Sequence, residues 1–156
     1  MMTLAEELHH IFLQKKLTLS IAESCTGGAL SHCFTLLPGA SKYYLGSVIT
    51  YSNESKEILL DIPHTWIAEN GAVSEKIACA MAQSIQRKLK SDYALATTGI
   101  AGPTGGSPEK PVGTVWIAIA TPENVKGMLL KLKGGREEII HAACEEVLHA
   151  LRDAIR

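Results

Sequence analysis

Behind a Thr3-x-x-Glu6 capping box, apolar residues fall at Leu4, Leu8, Ile11 and Phe12, a helical spacing that predicts a first helix running to about Lys16. Leu17 to Ala22 changes to a short aliphatic and β-branched run, a strand. It passes through Glu23-Ser24-Cys25-Thr26-Gly27-Gly28 into helical spacing at Leu30, Phe34 and Leu37, until Pro38-Gly39 stops the helix. Tyr43 to Tyr51 predicts a second strand, and the cap residues Ser52 and Asn53 then open a short helix reaching Leu60 before Pro63. Ser74 caps a longer helix with Ile77, Met81, Ile85 and Leu89 on one face, ending near Lys90. Asp92 to Thr98 reads as a third strand. In the following Gly99–Gly113, eight of fifteen residues are Gly or Pro, and Thr114 to Thr121 and Val125 to Lys133 then form a hairpin-like strand pair. Arg136 to about Ala154 closes the chain as an amphipathic helix. Helices alternating with strands early and a strand pair late predict the α/β class: a single layered α/β/α domain over residues 1–156 with a mixed sheet.

Composition narrows what such a domain does. The length of 156 residues suits one domain, and 46% hydrophobic against 20% charged residues suits a folded core. Fifteen basic and sixteen acidic residues leave a net charge of −1. Sequence-independent nucleic-acid binding, which needs a phosphate-neutralising stripe, is therefore not expected, whereas a small anionic ligand stays open. The longest apolar run, Val115 to Ala120, is far short of the roughly 20 residues that cross a bilayer, so no membrane segment is expected. The start Met1-Met2-Thr3-Leu4-Ala5-Glu6-Glu7 lacks a basic segment followed by an apolar one, which predicts a cytoplasmic protein with Cys25, Cys33, Cys79 and Cys144 as free thiols. His141 and Cys144 give one ligand pair where zinc needs two, so no metal site is predicted. Short apolar edge strands make a homodimer the expected assembly.

Three polar clusters fall at the carboxyl ends of strands, where open α/β sheets place their ligand sites: Glu23 to Thr26, Tyr51-Ser52-Asn53 with Lys56, and Thr97-Thr98-Gly99. Ser24, in a tight turn before a glycine-rich helix start, reads either as a nucleophile or as a plain helix cap. As a nucleophile it would have the N–H groups of Cys25, Thr26 and Gly27 directed at an oxyanion. No histidine lies near these strand ends, so the base would be Lys56, whose charge both a helix N-terminus and burial disfavour; the alternative is a solvated helix lysine. Tyr51 would either hold the pair by hydrogen bonds or sit half-buried in a strand. Glycines 99, 102 and 105 let backbone amides approach a phosphate, but the loop matches neither the Walker nor the dinucleotide pattern. Ser107-x-x-Lys110 imitates a penicillin-binding motif by chance, between Pro108 and Pro111. Arg136, at a helix start after Gly134-Gly135, is either a phosphate fork or a solvated arginine.

Five ordered blocks together resemble the C-terminal domain of the CinA family: Ala22 to Gly28, Thr50 to Lys56, Gly71 to Ser74, Thr98 to Gly106 and Lys110 to Val115. The resemblance covers nearly the whole chain. It implies hydrolysis of the carboxamide of nicotinamide mononucleotide to nicotinate mononucleotide and ammonia, in pyridine-nucleotide recycling. It also implies Ser24 as nucleophile, Tyr51 and Lys56 as its activating pair, and Thr98 and Arg136 as substrate contacts. Many members carry an aromatic residue shortly before the arginine, where this chain has Leu132-Lys133-Gly134-Gly135. The N-terminal molybdopterin-binding-like domain of longer members is not matched, and its metal-dependent pyrophosphatase activity is not expected. Joined to the residue-level reading, neutral Lys56 takes the Ser24 proton, helix-start amides with Thr98 hold the oxyanion, and the loop with Arg136 holds phosphate and ribose. No metal or organic cofactor enters this chemistry. The rival readings are a non-catalytic interaction module tied to competence and DNA damage, and a serine-lysine amidohydrolase of another substrate.

Overall fold

The structure is a computed structural model and describes residues 1–155. Helix α1 (Leu4–Lys15) leads to strand β1 (Leu19–Glu23), helix α2 (Ala29–Thr35), a 3-10 turn at Ala40–Lys42 and strand β2 (Tyr44–Ile49). Helices α3 (Asn53–Leu60), α4 (His64–Asn70) and α5 (Glu75–Leu89) precede strand β3 (Tyr93–Gly99). Strands β4 (Thr114–Ala120) and β5 (Val125–Lys131) and helix α6 (Arg136–Ile155) complete the order. The Thr3–Glu6 capping box forms as predicted, and Ser52 and Ser74 cap α3 and α5. Helix α4 is the helix that periodicity does not predict: of its seven residues after Pro63 only Ile67 is buried, so no apolar repeat marks it.

The sheet runs β2-β1-β3-β4-β5, with β2, β1 and β3 parallel and β4 antiparallel to both of its neighbours, β3 and β5, the mixed sheet expected. Its two faces differ in side-chain size. Leu19, Ile21, Leu95, Val115, Ile117 and Ile119 face a core shared with Leu8 and Phe12 of α1, Leu30 and Phe34 of α2, and Val147 and Leu151 of α6. The alternate residues Ala22, Ala94, Ala96, Ala118 and Ala120 face Ile77, Met81 and Ile85 of α5 and Leu60 of α3. Because successive strand side chains point to opposite faces, small residues on one face let α5 approach closely while the other face takes large aliphatics. The result is the three-layered α/β/α arrangement. Among the described residues no helix is long and apolar enough to cross a membrane.

This topology decides where a site forms. The chain leaves β1 on one side toward β2 and reaches its other neighbour, β3, only later, so the carboxyl ends of β1, β2 and β3 open onto one crevice. Ser24, the Thr50–Lys56 segment and the loop after Gly99 all start from those ends.

Candidate active site

Strand β1 ends in a fully buried Glu23, and Ser24 follows, 7% exposed, with its N–H donating to the Thr97 carbonyl at 3.0 Å. Ser24 is not the cap of α2. That position belongs to Gly28, at φ 104°, which has no side chain to offer. The orphan amides of α2 are met instead by Glu23, whose carboxylate accepts from the N–H groups of Gly28 and Leu30 at 3.1 Å and of Ser31 at 3.0 Å. This corrects the expected oxyanion donors. The Gly27 N–H donates to the Ser24 carbonyl at 3.1 Å and the Cys25 N–H meets its own thiol, whereas the Thr26 amide has no acceptor among the described residues. The Thr26 side chain turns inward to Glu23.

Lys56 sits in the first turn of α3, held by the Ser52 cap, and its side chain runs inward to 1% exposure. Its Nζ donates to the Thr50 carbonyl at 2.7 Å and to Ser24 Oγ at 3.1 Å, and no carboxylate pairs with it among the described residues. Burial without a counter-charge pushes its pKa down from the usual lysine value, a larger effect than the opposing one of the neighbouring Cys25. A neutral amine in this position keeps one N–H on Thr50 and turns its lone pair to the Ser24 hydroxyl. The solvated-lysine reading is thereby excluded. Cys25 beside it is buried too, and its thiol is pushed up to about 11, chiefly by desolvation.

Ser24 lies at the base of a cleft of about 230 Å³ walled by Cys25, Tyr51, the Gly99–Gly105 loop and Arg136. Gly102 in that loop has φ +80°, and a Cβ there would lie 2.4 Å from Val112 Cγ1, so the close turn requires glycine. The amides of Ala101, Gly102, Thr104 and Gly105 have no acceptor among the described residues, as an anion cradle needs. Tyr51 is neither half-buried in a strand nor bonded to Ser24 or Lys56. It is 59% exposed at the mouth, where its hydroxyl accepts from Arg136 Nη2 at 2.8 Å. Arg136 Nη1 donates to the Gly102 carbonyl at 2.7 Å, so one guanidinium ties α6, the glycine loop and the Tyr51 turn together.

Thr98 does not line the cleft. Its hydroxyl donates to the Ala72 carbonyl at 2.9 Å, on the α5 face of the sheet, while Thr97 points to the opposite face and meets the Ser24 turn. The pleat separates the two: Thr98 shares the phase of Ala94 and Ala96, Thr97 that of Tyr93 and Leu95. Thr97 and Glu23 are the residues that sequence reasoning leaves without a role. For Thr97 the small-large alternation along β3 carries the signal.

The CinA C-terminal domain family model matches residues 1–155. A CinA-like protein of Desulfotalea psychrophila is 43% identical over 150 residues, covering 96% of this chain and 36% of the relative. One of Gemmatimonas aurantiaca is 46% identical over 140 residues, 90% of this chain and 33% of the relative. The chain thus spans about a third of the length of these curated relatives. Among solved structures, the competence/damage inducible protein CihA of Agrobacterium tumefaciens superposes with a TM-score of 0.94 at 35% identity, over 97% of this chain and 93% of that one. The competence damage-inducible protein A of Klebsiella pneumoniae gives 0.93 at 31% identity, over 96% and 93%.

Proposed function

The chain belongs to the CinA C-terminal domain family, and from that premise we propose that it is a serine-lysine amidohydrolase that deamidates nicotinamide mononucleotide. The observation that carries the reading is the buried Lys56 Nζ, 3.1 Å from Ser24 Oγ and without a counter-charge. A binding module gains nothing from such a pair, because holding an uncompensated lysine in the interior costs stability.

In this mechanism the neutral Lys56 amine accepts the Ser24 proton as Oγ attacks the amide carbon, forming the C–O bond of a tetrahedral intermediate. The Thr26 amide is the free donor beside that oxyanion. Lys56 returns the proton to the amide nitrogen, the C–N bond breaks and ammonia leaves. Water then attacks the nicotinoyl ester, giving one proton to Lys56, which reprotonates Ser24 as the carboxylic acid departs and yields its remaining proton to the released ammonia. The free loop amides and Arg136, at the cleft mouth, suit the phosphate of a mononucleotide, whose grip orients the amide for attack.

The names of the relatives speak of competence and damage, not of an amide substrate, so the assignment rests on the site. Product analysis tests it. Chromatography after incubation with nicotinamide mononucleotide should show nicotinate mononucleotide; recovery of unchanged substrate, or of free nicotinamide from glycosidic cleavage, would refute the amidase reading.

A further inference from the structure

Glu23 is fully buried, yet among the described residues no lysine, arginine or histidine pairs with it. A buried carboxylate is tolerable only when hydrogen bonds replace its hydration, and here five do so. Besides the three backbone amides that start α2, Thr26 Oγ1 and Ser31 Oγ each donate at 2.5 Å. We infer that Glu23 is a positioning residue: its carboxylate fixes the direction of a hydrogen-bond chain from Thr97 through Thr26, and that chain holds the Ser24 turn against Lys56. The inference rests on the reading of Ser24 as the nucleophile.

The direction follows from what each group can do. Both Glu23 oxygens receive only N–H and O–H donors, so the Thr26 hydroxyl proton is committed to Glu23. The contact between Thr26 Oγ1 and Thr97 Oγ1, at 2.8 Å, must then carry the Thr97 proton toward Thr26. That leaves the Thr97 oxygen as an acceptor, and the Ser24 N–H lies 3.4 Å from it, as well as 3.0 Å from the Thr97 carbonyl. The same residue also locks the base. The Glu23 carbonyl accepts the Thr50 N–H at 2.8 Å, and the Thr50 carbonyl accepts from Lys56 Nζ. One residue thus fixes the turn that carries the nucleophile and the strand end that carries the lysine's anchor.

Glu23→Gln is the discriminating variant, because it keeps shape while placing an amide NH₂ where only donors converge, in either orientation. Thr97→Val breaks the chain at another link without touching the carboxylate or the start of α2. The readout is sulfonylation of Ser24 by phenylmethanesulfonyl fluoride, followed by intact mass and peptide mapping across pH. In that step the Ser24 O–S bond forms, fluoride leaves and Lys56 takes the hydroxyl proton. Both variants, folded by circular dichroism, should label more slowly, Glu23→Gln by about ten- to a hundredfold, with the midpoint of the pH profile unchanged because Lys56 is untouched. Wild-type labelling rates in folded variants would overturn the inference while leaving the serine-lysine reading intact. A displaced pH midpoint in Glu23→Gln would overturn it in favour of a direct charge effect on Lys56. Should Glu23→Gln not fold, Thr97→Val decides alone. Failure of the wild-type protein to label at Ser24 would overturn the nucleophile reading, and this inference with it.

Discussion

Lys56 reaches from the first turn of α3 to place Nζ 3.1 Å from the Ser24 hydroxyl, thirty-two residues earlier in the chain, with the Thr50 carbonyl at 2.7 Å as its other partner. Neither residue is polarised by a histidine or a carboxylate in hydrogen-bond contact. In the proposed mechanism the activation of the serine therefore falls to the desolvated amine.

That interdependence predicts non-additive losses. Ser24→Ala and Lys56→Ala should each lower turnover at least about a hundredfold while the fold holds, and the double variant should be no slower than either single one. Steady-state kinetics of the three variants check this. Multiplying losses would show that the two residues act separately.

Burial sets the pH dependence. Because desolvation pushes the Lys56 pKa below its ordinary 10.5, the reactive neutral amine should accumulate as pH rises, and kcat/KM should climb to a plateau with a midpoint below that value. Stability has the linked sign. Between the lowered folded value and 10.5 the unfolded chain binds the extra proton, so the cost of burying the lysine is largest below that window and fades as pH rises through it. Lys56→Met should consequently be more stable than the natural protein, and denaturant melts should show the gain shrinking toward alkaline pH.

Arg136 is expected to act on the phosphate. Arg136→Ala should reduce the specificity constant for the mononucleotide by about ten- to a hundredfold, the worth of a charge-assisted contact, and that for nicotinamide riboside much less. Equal losses on both would mean that the ties to Gly102 and Tyr51 matter only for holding the loop.

Cys25 adjoins Ser24 but should be chemically quiet. With its thiol pushed up to about 11, almost no thiolate exists at neutral pH, so iodoacetamide should leave activity intact there. Peptide mapping after alkylation checks it, and rapid inactivation with label on Cys25 would contradict the buried setting.

Much of this arrangement is legible in the chain. Ser24 and Lys56 announce themselves because a serine at a strand-to-helix turn and a lysine four residues after the Ser52 cap are fixed by local signals. The choice between Thr97 and Thr98 is harder. Strand β3 is buried on both faces from Tyr93 to Thr98, so no polar-apolar alternation marks the phase, and only the alanines at 94 and 96 do. Glu23 is hidden for another reason. Its capping of α2 from outside the helix depends on positive φ at Gly27 and Gly28, which bends the chain back over the carboxylate. Tyr51 is misjudged because the chain leaves β2 at Ile49, two residues earlier than its hydropathy suggests, and turns the ring to the cleft mouth.

The most direct measurement is the initial rate of ammonia release from nicotinamide mononucleotide by the purified protein and by Ser24→Ala, side by side at a pH where Lys56 is neutral. The natural protein should release ammonia steadily, matched mole for mole by nicotinate mononucleotide, and the variant next to none. Ammonia release that is absent in both, or equal in both, would contradict the serine-lysine amidohydrolase assignment.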